Sequence, residues 1–112
     1  MILSREMSKV RILWASQAQE RWQETAIYIR QQWGVFALRK FKEKTEECQD
    51  CLEDFPTIGQ IEPLLADRTI QYRSLLLGEL NKIIYYIDGD IIYIVDFWDT
   101  RREPKAQAQR TE

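Results

Sequence analysis

The stretch Ile70-Gln71-Tyr72-Arg73-Ser74-Leu75-Leu76-Leu77-Gly78-Glu79-Leu80-Asn81-Lys82-Ile83-Ile84-Tyr85-Tyr86-Ile87-Asp88-Gly89-Asp90-Ile91-Ile92-Tyr93-Ile94-Val95-Asp96-Phe97-Trp98 decides the fold. It is rich in Ile, Leu, Tyr and Val, the residues that fit a pleated, half-buried surface. Ile70 to Leu77, Leu80 to Ile87 and Ile91 to Trp98 predict strands, and Gly78-Glu79 and Asp88-Gly89-Asp90 are compact hairpin signals. The result is an antiparallel meander. A two-residue Gly78-Glu79 loop sets Leu77 opposite Leu80 and Arg73 opposite Ile84, so Lys82 and Tyr86 share the face of Arg73. Tyr72, Leu76, Ile83, Tyr85 and Ile87 then form the more apolar face and the expected core. A three-residue loop at Asp88-Gly89-Asp90 would bring Asp96 and Trp98 to the Arg73 face; a two-residue loop would not.

Upstream the period changes from two to 3.6. Ala18, Trp22, Ala26, Ile29 and Trp33 fall on one helical face, after Ser16-Gln17-Ala18-Gln19, which has the form of a capping box. Gly34 ends that helix, since glycine readily takes the left-handed conformation. Leu38, Phe41, Thr45, Cys48, Leu52 and Phe55 form the seam of a second helix, and the short connection predicts an antiparallel helical hairpin. Glu43, Glu46, Glu47, Asp50 and Glu53 lie off the seam and face water. Pro56 stops the helix, and Thr57 to Asp67 reads as a loop. Before the hairpin, Val10 to Trp14 reads as a short strand with Val10, Ile12 and Trp14 on one face.

The fold class is therefore α+β: short strand, antiparallel helical hairpin, then a three-stranded antiparallel meander, with the hairpin on one sheet face. Residues 1–8 read as an N-terminal extension, 9–104 as one domain and 105–112 as a polar tail. The charged segment from Asp99 onward is expected to be frayed or ordered by a partner.

Composition narrows the chemistry. The 112 residues contain no histidine, which excludes His-based dyads and His-ligated zinc. Cys48 and Cys51 are the two cysteines, too few for a Cys-only structural zinc site. They lie deep in the second helix rather than at a helix N-terminus, where a redox thiol is activated, so they read as structural. No metal or cofactor is expected. No apolar run approaches the roughly 18 residues of a membrane span, and no signal peptide opens the chain, so the expected location is the cytoplasm without membrane contact. The net charge is −2, unlike the strongly basic balance of dedicated nucleic-acid binders. Residues 1–67 carry 9 basic and 11 acidic side chains and residues 68–112 carry 7 of each, so any anion site must be a local patch in the second half.

Several clusters in this order resemble the RelE/ParE superfamily of bacterial toxins from type II toxin–antitoxin systems. Trp14 with the helix from Ala18 to Trp33 resembles the family's opening strand and first helix. Phe55-Pro56-Thr57-Ile58-Gly59-Gln60-Ile61-Glu62 resembles its P-x-I-G linker. Tyr72-Arg73-Ser74-Leu75, Lys82-Ile83-Ile84-Tyr85-Tyr86-Ile87 and Ile94-Val95-Asp96-Phe97-Trp98-Asp99-Thr100-Arg101-Arg102 resemble the closing strands and the arginine-bearing exit. The likeness runs from about Val10 to Pro104. It implies a cytoplasmic toxin that a cognate antitoxin neutralises. It further implies one of two targets: mRNA on the ribosome, cut by RelE-like members, or DNA gyrase, poisoned by ParE-like members.

RNA cleavage through the 2′-hydroxyl needs a base, a cation at the pentacoordinate phosphate and an acid for the leaving oxygen. Arg73 and Lys82 match the basic positions of RNA-cleaving members on the second and third strands. Arg101 or Arg102 matches the arginine at the end of the last strand. These four are the candidate phosphate- or target-binding cations. Against cleavage, RNA-cleaving members carry a Tyr or His after that last arginine, and Asp99 to Glu112 contains neither. Tyr86 and Tyr93 read as core or platform rather than catalyst. That departure and the acidic charge favour ParE-like gyrase poisoning over mRNA cleavage, with an inert binding module of the same fold as a further alternative.

Overall fold

The structure is a computed structural model that describes residues 10–102 and 104–111. The expected extension at 1–8 lies outside the described residues. The chain runs β1 (Arg11–Trp14), α1 (Ser16–Trp33), α2 (Val35–Asp54), β2 (Gln60–Ile61), a 3-10 turn (Pro63–Leu65), β3 (Arg73–Leu77), β4 (Asn81–Asp88), β5 (Ile91–Asp99) and α3 (Pro104–Ala108). The strands form one five-stranded sheet in the order β1-β5-β4-β3-β2. β3, β4 and β5 make the expected antiparallel meander, and β1 closes it by running parallel to β5.

The helical hairpin covers one face. Ala18 and Ala26 of α1 and Phe41 and Leu52 of α2 are buried against Leu77, Ile83, Tyr85, Ile92, Ile94 and Phe97. The alanines have little side chain, so α1 approaches the sheet closely. Trp22 stacks on Phe41 with centroids 5.2 Å apart, and its indole N–H donates to Thr45 Oγ1 at 2.8 Å. Trp14 donates likewise to Gln49 Oε1 at 2.9 Å and ties β1 to α2.

Several expectations change, and the open choice of loop between β4 and β5 is decided. The β3–β4 loop has three residues, so Leu77 faces Asn81, Ser74 faces Ile84 and Arg73 faces Tyr85. This one-residue slip exchanges faces: Tyr72 and Leu76 leave the hairpin-covered face, and Arg73 and Lys82 point to opposite sides of the sheet. The β4–β5 turn has two residues, and a register shift between Ile84 and Tyr85 leaves Val95 as the extra residue, so Asp96 and Trp98 lie on the face of Lys82. Ser16 is the first helical residue rather than the cap; Ala15 holds the cap position and no side-chain cap bond forms. The segment read as a loop contains β2 and the 3-10 turn, where Glu62 accepts from the Leu64 N–H at 3.0 Å. Among the described residues after Asp99 the chain is packed rather than frayed: α3 buries Gln107 and Ala108, and Thr111 beyond it is also buried.

Those last two elements cover the second face. Leu65, Tyr72, Ile84, Trp98 and Ala108 form a smaller core there. Trp33 and Phe55, both placed on core faces by periodicity, are exposed. Phe55 follows the last residue of α2, Asp54, and so leaves the helical phase.

Candidate functional site

The linker from Phe55 to Glu62 is fixed by two side chains of the sheet. Tyr85 Oη donates to the Pro56 carbonyl at 2.7 Å and accepts from the Gly59 N–H at 2.9 Å. Arg73 Nη1 donates to the Gly59 carbonyl at 2.8 Å and to that of Thr57 at 3.3 Å. Gly59 lies so close that a Cβ there would sit 2.6 Å from the Ser74 carbonyl oxygen and from Tyr85 Oη. Arg73, expected as an open cation, thus spends donors on backbone carbonyls. Burial pushes the Tyr85 hydroxyl above its usual range, against the opposing Gly59 hydrogen bond and the Arg73 charge.

The pinned linker delivers Glu62 to the second face. Its Oε1 lies 2.6 Å from Lys82 Nζ, and the Glu62 side chain is 1% exposed. Lys82 also stands 5.5 Å from the centre of the Trp98 ring. Burial pushes the Glu62 carboxyl up, but hydrogen bonds from Lys82 and the Leu64 N–H outweigh it, and the pKa falls below its ordinary value. Glu62 therefore stays ionised, with Lys82 as its counter-ion. A carboxylate held so firmly in its charged form is a weak proton acceptor at neutral pH.

Arg101 and Arg102 sit at the exit of β5 around Asp99. Arg101 Nε and Nη2 each donate to the Asp99 carboxylate at 3.3 Å, and Arg102 Nε lies 3.8 Å from it. Burial raises the Asp99 pKa, yet the Arg101 backbone and side-chain donors and the two positive charges bring it below the carboxylate norm. Both arginines line a cleft of about 490 Å³ that α1 and α3 share.

The four sequence candidates thus divide among three places. Arg73 supports the linker, Lys82 meets a buried glutamate on the other face, and Arg101 and Arg102 belong to the exit cleft. Sequence reasoning missed two buried carboxylates. Glu62 was visible within the linker but carried no role. Asp96 is fully buried and accepts from the Phe97 N–H, Trp98 Nε1, Arg110 Nη2 and Thr111 Oγ1.

The architecture is a helical hairpin over one face of an open, mostly antiparallel sheet. The chain is similar in structure to the chromosomal ParDE toxin–antitoxin system from P. aeruginosa, with TM-score 0.65 and 15% identity over 82% of this chain and 97% of that one. It is also similar to the YoeB dimer from Staphylococcus aureus, with TM-score 0.55 and 22% identity over 79% of this chain and 93% of that one. No curated protein sequence matches significantly. Residues 12–104 match the family described as ParE toxin of type II toxin-antitoxin system, parDE, and the chain belongs to that family.

Proposed function

We propose that this toxin arrests growth by binding DNA gyrase, in the ParE manner, and that a cognate antitoxin made with it blocks that action. The observation that carries the reading is the separation of its cations. Arg73 and Lys82 lie on opposite sides of the sheet and each already has a partner. They do not converge on one phosphate, as phosphoryl chemistry requires. The acidic overall charge also disfavours a ribosome-bound RNA substrate.

A second reading rests on the Glu62–Lys82 pair. It places the Lys82 cation beside Trp98 and 2.6 Å from an ionised carboxylate, which is a phosphate ligand beside an aromatic platform. Under that reading the chain is a metal-independent, RelE-like ribosome-dependent mRNA endonuclease.

Expression without the antitoxin decides between them. The expected result is growth arrest with DNA damage, inhibition of gyrase supercoiling by the purified chain, and no codon-specific cut in toeprints of translating ribosomes. Cuts made by the wild type and lost in Lys82→Ala would overturn the gyrase reading. Normal growth would identify an inert binding module.

A further inference from the structure

The helical hairpin carries a second cleft, away from the arginine-bearing exit. Trp22 Nε1 donates to Thr45 Oγ1 at 2.8 Å, and Trp14 Nε1 donates to Gln49 Oε1 at 2.9 Å. Thr45 and Gln49 are four residues apart on α2, so the two anchored indoles stand one helical turn apart, about 6 Å. Phe41 stacks on one face of Trp22 with centroids 5.2 Å apart. The other face is left for a cleft of about 430 Å³ that Trp14 also lines. That volume lies within the range of small-molecule sites.

Hydrogen bonding fixes what the walls can offer. An indole N–H only donates, so Gln49 must turn its oxygen to Trp14 and keeps its amide NH2 for the cleft. Thr45 accepts from Trp22 and donates to the Phe41 carbonyl at 2.9 Å, so its hydroxyl is spent. Gln19 and Gln23, one turn apart on α1, line the same cleft, and neither side chain has a hydrogen-bond partner among the described residues. Lys42 and Glu46 line it as well and cancel in charge. The cleft therefore combines aromatic walls, unspent amides and no net charge.

We propose that this cleft binds an adenine-type purine nucleoside, with the base against the indoles of Trp14 and Trp22 and its edge on the amides of Gln19, Gln23 and Gln49. The inference does not depend on the gyrase reading. A flat heterocycle fits because aromatic walls reward stacking on a π face. A glutamine amide offers a donor and an acceptor side by side, which matches the adjacent acceptor and donor of the adenine edge. A charged ligand is disfavoured, because Lys42 and Glu46 offset each other's field.

The test titrates the full chain with adenosine, uridine and AMP, followed by calorimetry and tryptophan fluorescence. Adenosine should bind saturably, quench part of the emission and exceed uridine at least about tenfold in affinity, since uridine stacks a smaller ring and lacks the adenine edge. AMP should bind no more than about twofold tighter than adenosine, even at low salt. The double variant Gln19→Leu/Gln23→Leu changes two exposed side chains. Its unfolding temperature should hold while adenosine affinity falls at least about tenfold. Gln31→Leu, exposed on the same helix and outside the cleft, should leave the affinity unchanged. No saturable binding, equal affinity for uridine, or unchanged binding by the double variant would overturn the proposal. A salt-sensitive preference for AMP would reveal an anion site and overturn it too.

Discussion

Glu62 shows how one side chain can serve either stability or chemistry. Its carboxylate is buried, ionised and 2.6 Å from Lys82, so removing the lysine strands a charge. Lys82→Met should destabilise the fold by about 3 kcal/mol, the low end for a broken buried pair because the lysine head keeps some water. Glu62→Gln should cost less, since its amide still accepts a hydrogen bond. The pH dependence has a definite sign. The folded pKa of Glu62 lies below its ordinary 4.5, so its contribution is fully present above that value and fades as pH falls through the lower folded one. Urea unfolding across the acid range should show a shallower acid loss in Glu62→Gln. An unchanged slope would mean that the native carboxylate is not held in its charged form. The pairing was illegible in the sequence because it joins residues 20 apart across a linker whose path depends on Tyr85, Arg73 and the missing Cβ of Gly59.

At the scale of elements, β1, the helical hairpin and the three-stranded meander were legible, β2, the 3-10 turn and α3 were not, and the phase of the strands was legible only in part. The seam of α2 ran true from Leu38 to Leu52, because helical spacing marks one face unambiguously. The β3–β4 register did not. Leu75-Leu76-Leu77 and Ile83-Ile84-Tyr85-Tyr86 are apolar at both parities, since each face of the sheet is covered, and alternation then cannot choose a face. Gly78, with φ of +67°, supports a loop of three residues as readily as one of two. The α2 seam yields a sharper test. Cys48 is half-buried, with Sγ 3.7 Å from the Leu76 carbonyl oxygen, while Cys51 is exposed. Cys48→Ser should cost about 1–2 kcal/mol through partial burial of a hydroxyl, and Cys51→Ser should stay within about 0.5 kcal/mol, as surface changes do. Burial, with lesser help from Cys51 and Glu47, pushes the Cys48 thiol up to about 11. Iodoacetamide at pH 8 should therefore label Cys51 well before Cys48. The thiol's contribution to stability is present below its ordinary 9.0 and lost as pH rises from there toward 11. Equal labelling rates at the two positions would contradict this helical phase.

For the whole molecule, the decisive feature is that each face of the sheet carries a core, although Leu76 on the second face stays exposed. The helical hairpin closes one, and the other depends on a five-residue helix, α3, with the 3-10 turn beside it. That short helix is not held by apolar contact alone. Arg68 donates to the carbonyls of Ala108 and Thr111 at 2.9 and 3.1 Å, and Gln107 exchanges two hydrogen bonds with the Asp99 backbone. Asp96 beneath it takes bonds from Arg110 and Thr111. A polar composition made this segment look unpacked in the sequence, because its anchors are polar groups that pair only in three dimensions. Deleting residues 104–112 should therefore cost more than the lost burial of Ala108. It leaves the buried Asp96 carboxylate with the Phe97 N–H and Trp98 Nε1 but no positive partner, a penalty of about 3–5 kcal/mol. The truncated chain should unfold at a markedly lower temperature. Placing Asp96→Asn in it should recover part of the loss, because a neutral amide removes the stranded charge. In the full-length chain the same substitution should be destabilising, since there it breaks the pair with Arg110. This reversal of sign, read by thermal unfolding of the four proteins, separates a stranded charge from simple loss of packing. If Asp96→Asn destabilises both backgrounds equally, α3 is held by contact area and the buried carboxylate plays no part.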